Sequence, residues 1–121
     1  MFRRTLFALA AAAVAVAIVA SAQATSTSTR LTGEVGPGFT IEVKKGTKDL
    51  KTIKAGTYKI KVEDKAAIHN FHLFGPGLNK KTGISFKGDT TWTIKLKPGR
   101  YTYQCDPHHL SGMLGHFRVT A

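Results

Sequence analysis

Two short segments of the chain concentrate the side chains that can bind a metal ion. The first contains His69 and His72, and the second runs from Cys105 through His108 to Met113 with the spacing Cys-x2-His-x4-Met. The second segment lies between two runs of alternating residues that we expect to be strands. A short loop between two strands can turn three side chains toward one point. A histidine from a neighbouring strand would complete a four-ligand set.

The donor atoms in these segments favour copper over other metals. Two histidines and a cysteine in a plane with a weak axial methionine are typical of blue-copper electron-transfer sites. Zinc more often takes a fourth strong ligand than a methionine. Cys105 is the only cysteine of the chain. This excludes an internal disulfide, a four-cysteine zinc or iron–sulphur site and a two-cysteine dinuclear copper centre.

The remaining histidines are ambiguous from spacing alone. His69 and His72 are three residues apart, so on a regular strand they would face opposite ways and only one could point at the site. His109 and His116 are expected to be surface residues.

Alternation of apolar and polar residues indicates the strands that must position these side chains. Turn-forming residues such as Gly-Pro-Gly and Lys-Gly separate the runs, and no segment after the N-terminal region has a sustained helical period. About seven short strands predict an all-β fold, an antiparallel Greek-key β-sandwich. The clearest runs are 39–43, 58–62, 92–96, 101–105 and 117–119.

The N-terminal region has the pattern of a secretory signal peptide. Arg3 and Arg4 precede an uncharged apolar stretch over 6–20, and small residues follow. We predict a signal peptide over 1–22, cleaved after Ala22 or Ala24, a flexible leader over 23–30 and a folded domain over 31–121. The protein would then be exported to the periplasm or another extracytoplasmic compartment. An uncleaved membrane anchor is the alternative, and it would make the protein membrane-associated.

The charge of the chain is strongly positive. There are 18 lysines and arginines against 7 acidic residues, for a formal net charge of +11. Most lysines fall on outward strand positions, which predicts a basic surface that attracts acidic partners. No arginine-rich or aromatic-stacking motif occurs, so we expect no nucleic-acid partner. No glycine-rich phosphate loop is present either, which argues against nucleotide hydrolysis.

Several motifs together resemble those of the cupredoxins, the blue type 1 copper proteins. Residues 105–108, 112–115 and the preceding run 98–103 are most similar to the plastocyanin ligand loop. His69-Asn70 matches the His-Asn pair of that family, and the His-Asn-x-His form over 69–72 is similar to amicyanin.

The resemblance implies a cupredoxin-like fold with one copper ion per chain. It implies the ligands His69, Cys105, His108 and Met113, with Asn70 linking the two ligand segments by hydrogen bonds. The expected function is a monomeric one-electron carrier, not an enzyme, with no small-molecule substrate. Its expected partners are extracytoplasmic redox proteins with acidic docking surfaces. The alternative is a copper-binding or delivery protein without redox turnover.

The resemblance also implies that His108 is the ligand nearest the surface. We expect a patch of small or apolar residues around it, ringed by lysines. The expected patch consists of Leu110, Gly112, Leu114, Gly75, Pro76, Gly77 and Leu78.

Overall fold

The computed structural model of the chain describes residues 12–21 and 29–121. Within these residues the structure contains ten strands and one short 3-10 helix. The strands are β1 (Arg30–Val35), β2 (Ile41–Lys45), β3 (Lys48–Asp49), β4 (Thr52–Lys54), β5 (Gly56–Asp64), β6 (His72–Gly75), β7 (Leu78–Lys81), β8 (Gly88–Leu96), β9 (Gly99–Gln104) and β10 (Leu114–Thr120), and the 3-10 helix spans Asp106–Ser111.

The strands form two five-stranded sheets that face each other. Their orders are β3-β2-β1-β5-β8 and β4-β10-β9-β6-β7. The predicted β-sandwich is therefore confirmed. Its sheets are mixed, because β1 pairs with β5 and β4 with β10 in parallel. Alternation identifies a strand and its buried face, but it carries no information about the direction of the neighbouring strand.

The core lies between the sheets and anchors the first metal-binding segment. Leu31 and Val35 of β1 are fully buried, and so are Ile60 and Val62 of β5, as the alternation over 58–62 predicts. Phe71 is also fully buried, and a Cβ atom at Gly33 would lie only 2.5 Å from its ring. Glycine at this position makes room for Phe71, and the packing fixes the chain two residues after His69.

One aromatic residue departs from the sequence expectations. Phe39 was expected on the buried face of a strand, but β2 begins at Ile41 and the Phe39 side chain is 60% exposed. Trp92 of β8 is half-buried and packs against the core, with its ring on Phe71 and the Lys80 amine 5.9 Å from the ring centre.

The predicted signal peptide and leader lie largely outside the described residues. The described part, 12–21, is exposed and has no regular secondary structure. None of the described helices is long and apolar enough to cross a membrane. The boundaries at residues 22 and 30 therefore stay predictions.

Candidate metal centre

The four candidate ligands lie at one end of the sandwich. Strands β9 and β10 are antiparallel neighbours with Gln104 opposite Leu114, so the segment between them leaves and re-enters the sheet at the same end. Strand β6 starts beside β9 with His72 opposite Gln104, which brings His69, three residues before His72, to that end as well. Sheet register thus joins residues that are 36 positions apart.

Three donor atoms converge at this end. The Nδ1 atoms of His69 and His108 are 3.0 Å apart, and the Cys105 sulphur lies 3.7 Å from the first and 3.4 Å from the second. Met113 is fully buried beside them: its carbonyl accepts the Cys105 N–H, and its own N–H donates to the His108 carbonyl. The geometry therefore gathers His69, Cys105 and His108, with the Met113 backbone tied to two of them.

The donor set fits a soft or borderline metal ion. Bonds of ~2.0 Å to nitrogen and ~2.3 Å to sulphur place such donors roughly 3–4 Å apart, which is the spacing here. A thiolate and two imidazoles without a carboxylate favour copper or zinc over magnesium or calcium. The opposite nitrogen of His69, Nε2, is buried and lacks a hydrogen-bond partner within the described residues. A bond from Nδ1 to a metal would offset this cost of about 1–3 kcal/mol.

Asn70 and Asp106 join the two ligand segments. The backbone N–H of Asp106 donates to Asn70 Oδ1 at 2.7 Å, and Asn70 Nδ2 donates to Asp106 Oδ2 at 2.9 Å. Both residues directly follow candidate ligands, His69 and Cys105. The expected role of Asn70 in linking these segments is confirmed.

The Asp106 carboxylate is held ionised by its neighbours. Its other oxygen accepts from Gln104 Nε2 and lies 2.8 Å from His72 Nδ1. Burial raises the pKa of Asp106, but the hydrogen bonds from Gln104, His72 and Asn70 more than offset it and lower the pKa to about 2. A single carboxylate therefore ties the first ligand segment, strand β6 and the end of strand β9 together.

The remaining histidines bond elsewhere. His72 binds Asp106 through Nδ1 and lies 2.6 Å from Asn79 through Nε2, so both of its nitrogens have partners outside the centre. His69 and His72 diverge because His69 lies in the loop before β6, not because they alternate along one strand. His109 is half-buried and donates to the Asp106 carbonyl, while His116 is exposed on β10 and bonds Thr102.

Phe39 is a residue of this site that the sequence pattern missed. Its ring meets those of His69 and His108 edge-on, at centroid distances of 5.4 and 4.9 Å. The loop carrying it begins at Gly36, whose φ of 74° favours glycine and whose added Cβ would lie 3.1 Å from the His69 ring. The Gly36-Pro37-Gly38 turn was the available signal that the strand begins only after Phe39.

The surface over the centre is apolar, but its composition differs from the expectation. His108 is half-buried while His69, Cys105 and Met113 are fully buried, so His108 is the outermost of the four. Exposed apolar side chains on the segments around it include Phe39, whose ring contacts His108, Leu110 at 91% exposure and Leu114 at 44%.

The turn at 75–78 does not belong to this patch, so its inclusion was wrong. Strand β6 runs away from the centre and carries the turn to the other end of the sandwich. There Pro76 contacts Gly99, and its carbonyl accepts from the Tyr101 hydroxyl at 2.7 Å.

The charges around the centre are mixed rather than a ring of lysines alone. A row of four acidic residues crosses the first sheet next to the metal end, in the register Glu42, Glu34, Glu63, Asp89. The lysines beside this row are paired with it, as in the bonds of Lys65 to Glu34 and Lys61 to Glu63. The side chains near the centre thus include most of the acidic residues of a basic protein.

Comparison with known proteins finds similarity to copper-binding proteins in both sequence and fold. A family model described as copper binding proteins of the plastocyanin/azurin family matches residues 18–120. Among solved structures, reduced rusticyanin is 26% identical with a TM-score of 0.58, covering 75% of this chain and 78% of that one. A second structure of the copper protein rusticyanin is 25% identical with a TM-score of 0.57 and coverages of 75% and 76%. Rusticyanin from Thiobacillus ferrooxidans, at 22% identity, a TM-score of 0.53 and coverages of 75% and 76%, supports the fold.

Proposed function

The chain belongs to the plastocyanin/azurin family of copper-binding proteins, the cupredoxins, and from that premise we propose that it carries single electrons between extracytoplasmic redox partners. Its cofactor is one copper ion per chain. The observation that carries the proposal is the convergence of His69 Nδ1, His108 Nδ1 and the Cys105 sulphur within hydrogen-bonding distances of one another at a buried end of the sandwich.

We assign His69, Cys105 and His108 as the strong copper ligands and Met113 as the weak one. Thiolate sulphur favours Cu(II) and thioether sulphur favours Cu(I), so a set containing both suits an ion that cycles between the two. Copper bound there supplies the one-electron couple. Burial of His69, Cys105 and Met113 keeps water away from the donors.

The residues around the ligands limit rearrangement when the oxidation state changes. The two hydrogen bonds between Asn70 and Asp106 fix the chain directly after His69 and directly after Cys105. Packing of Phe71 against Gly33 fixes the first segment from the core side. Donors that cannot move far make the two oxidation states similar in geometry, which is what fast electron transfer requires.

The half-buried ring of His108 is the proposed route for the electron. Phe39, Leu110 and Leu114 give the surrounding surface an apolar character that permits close approach of a partner. The long-range field of a strongly basic chain favours acidic partners, yet the charges toward the metal end include a row of carboxylates partly paired with lysines. We therefore propose a redox protein that docks at this end through apolar contact. An acidic docking surface on that protein stays a prediction from net charge alone.

The function is tested by loading the protein with copper and recording its visible spectrum. We expect one copper per chain and an intense thiolate-to-Cu(II) band that Cys105→Ser abolishes while the domain stays folded. His109→Ala is the matched control, since this histidine bonds the Asp106 carbonyl and should leave the band intact. A Cys105→Ser variant that stays blue would refute the assignment. Slow electron self-exchange with easy copper transfer to a chelator would favour the delivery alternative.

Export is tested separately by mass spectrometry of the protein recovered from outside the cytoplasm. Support comes from the charged, apolar and small-residue order of residues 1–24. We expect the exported chain to start at Gln23 or Thr25. An intact N-terminus recovered with the membrane fraction would instead support the anchored alternative.

A further inference from the structure

The acidic residues of the chain are segregated toward the metal end. Of the seven acidic residues, four form the row Glu42, Glu34, Glu63, Asp89. Asp64 and Asp106 lie still closer to the centre, at the end of β5 and directly after Cys105. Only Asp49, opposite Lys44 on β3, lies farther down the sheet. The positive charge must therefore dominate elsewhere.

The opposite end of the first sheet carries cations without acidic neighbours. Arg30, the first residue of β1, lies directly opposite Lys59 of β5, and Lys95 lies near the end of β8. All three are exposed, since the residues that follow them, Leu31, Ile60 and Leu96, are the ones that enter the core.

The second sheet continues this cationic end. Arg100 and Arg118 are directly opposite each other on β9 and β10 and are both exposed, an arrangement of like charges that destabilises a sheet. The Lys51 carbonyl accepts the Arg118 N–H, which brings a third cation beside them, and Lys54 lies at the end of the adjacent strand β4.

None of these cations forms an ion pair with a carboxylate in the part of the chain that the structure describes. Burial and the nearby charge of Arg100 lower the pKa of His116, as a positive local potential would. We call this surface, formed by both sheets at the end away from the metal centre, the cationic end.

The chain also enters the domain at the cationic end. Strand β1 runs from Arg30 toward the metal centre, so the first strand of the folded domain begins at the cationic end. A ring of cations on two sheets matches an extended anionic surface better than a single small anion. An anionic lipid bilayer presents such a surface continuously.

We propose that the cationic end docks on an anionic lipid bilayer and holds the metal centre away from it. The nine residues of β5 run from one end to the other, which at ~3.3 Å per residue separates the centre from the lipid by about 25 Å. His108 and the apolar patch then face the aqueous side, where a soluble redox partner can reach them. The docking surface contains no candidate copper ligand, so the inference stands or falls independently of the proposed electron transfer.

The test is co-sedimentation of the copper-loaded full-length protein with vesicles. One set contains phosphatidylglycerol mixed with phosphatidylcholine, and the other is pure phosphatidylcholine. We expect binding to the anionic set only, decreasing as salt is raised. Replacing four cations of the cationic end with glutamine, at Lys59, Lys95, Arg100 and Arg118, should lower the partition coefficient at least ~10-fold, because each cation near an anionic surface contributes to binding.

The matched control replaces four exposed lysines outside the cationic end with glutamine, at Lys65, Lys80, Lys81 and Lys87, and so changes net charge by the same amount. It should bind within ~3-fold of the wild type. Equal losses in both variants would show that only net charge matters and overturn the proposal, as would no binding to anionic vesicles. Undiminished binding to pure phosphatidylcholine in both variants would place the contact in the apolar stretch over 6–20 and also overturn it.

The orientation of the protein on the bilayer is tested with a separate variant. Leu110→Ser changes the apolar patch at the metal end without changing charge, and it should leave vesicle binding unaltered. Loss of binding in this variant would mean that the metal end contacts the lipid, which contradicts the proposed orientation.

Discussion

Replacing Asn70 by alanine should destabilise the metal-free protein by about 2–4 kcal/mol. The substitution removes the Asn70 Oδ1 acceptor of the Asp106 N–H and the Nδ2 donor to the Asp106 carboxylate. A neutral hydrogen bond contributes ~0.5–1.5 kcal/mol and one to a charged group ~1.5–3 kcal/mol, which sets this range. Asn70 is 2% exposed, so water cannot readily replace either bond.

The assay is urea unfolding followed by tryptophan fluorescence. Trp92 is the only tryptophan, and its ring centre lies 6.2 Å from that of Phe71, next to the substituted residue. With a slope of roughly 1–2 kcal/mol per molar urea, the midpoint should fall by about 1–4 M. Asn79→Ala is the control, because Asn79 is exposed and its side chain bonds only His72 among the described residues.

A double-mutant cycle separates the two hydrogen bonds. Asp106→Ala removes the carboxylate but keeps the backbone N–H, so its coupling to Asn70→Ala should report the bond to Oδ2 and amount to ~1–2 kcal/mol. An Asn70→Ala variant within ~0.5 kcal/mol of the wild type, like the Asn79 control, would refute the claim that this pair links the segments.

Three further predictions concern single residues. His69→Ala should abolish the blue absorption of the copper-loaded protein, whereas His72→Ala should retain it, because His72 faces Asp106. Absorption spectra with the reverse outcome would identify His72 as the ligand. Asp106 has its pKa lowered from 3.8 to about 2, so it stabilises the fold above its unfolded pKa, and this contribution is lost as pH falls from 3.8 to about 2. Asp106→Asn should abolish that component in urea unfolding of the metal-free protein, and an unchanged pH profile would contradict it. Leu110→Glu should slow electron exchange with a redox protein in stopped-flow measurements without altering the spectrum, and an unchanged rate would remove Leu110 from the docking surface.

Both the strands and the convergence of the donor atoms were predictable from the pattern of alternating residues. Alternation records which side chains are buried, and a short segment between two strands must return to the end it left. Cys105, His108 and Met113 therefore had to lie close together once strands flanked them on both sides. Resemblance then selected His69 over His72, a choice that the geometry supports through the loop position of His69.

The surface around the centre was predicted poorly because it depends on strand direction. The 75–78 turn follows His69 by only a few residues, yet β6 intervenes. Four residues at ~3.3 Å each carry the turn more than 10 Å away. Phe39 was misplaced because the alternating pattern continues through Thr40 into β2, although the Gly36-Pro37-Gly38 turn just before it indicates that the chain is still turning. The direction in which β6 runs, in contrast, is not visible in residue types alone.

Strand register also explains how the charges of the chain are distributed over the domain. Glu34 and Glu63 lie near the ends of β1 and β5, whereas Glu42 and Asp89 lie near the beginnings of β2 and β8. Along the chain these residues look scattered among lysines. Parallel pairing of β1 with β5, and antiparallel pairing of each with its other neighbour, gathers them into one row beside the metal centre. The same pairing leaves Arg30, Lys59 and Lys95 toward the opposite end. The net charge of +11 therefore sets the overall attraction to an anionic surface, whereas strand register determines which end of the domain faces that surface.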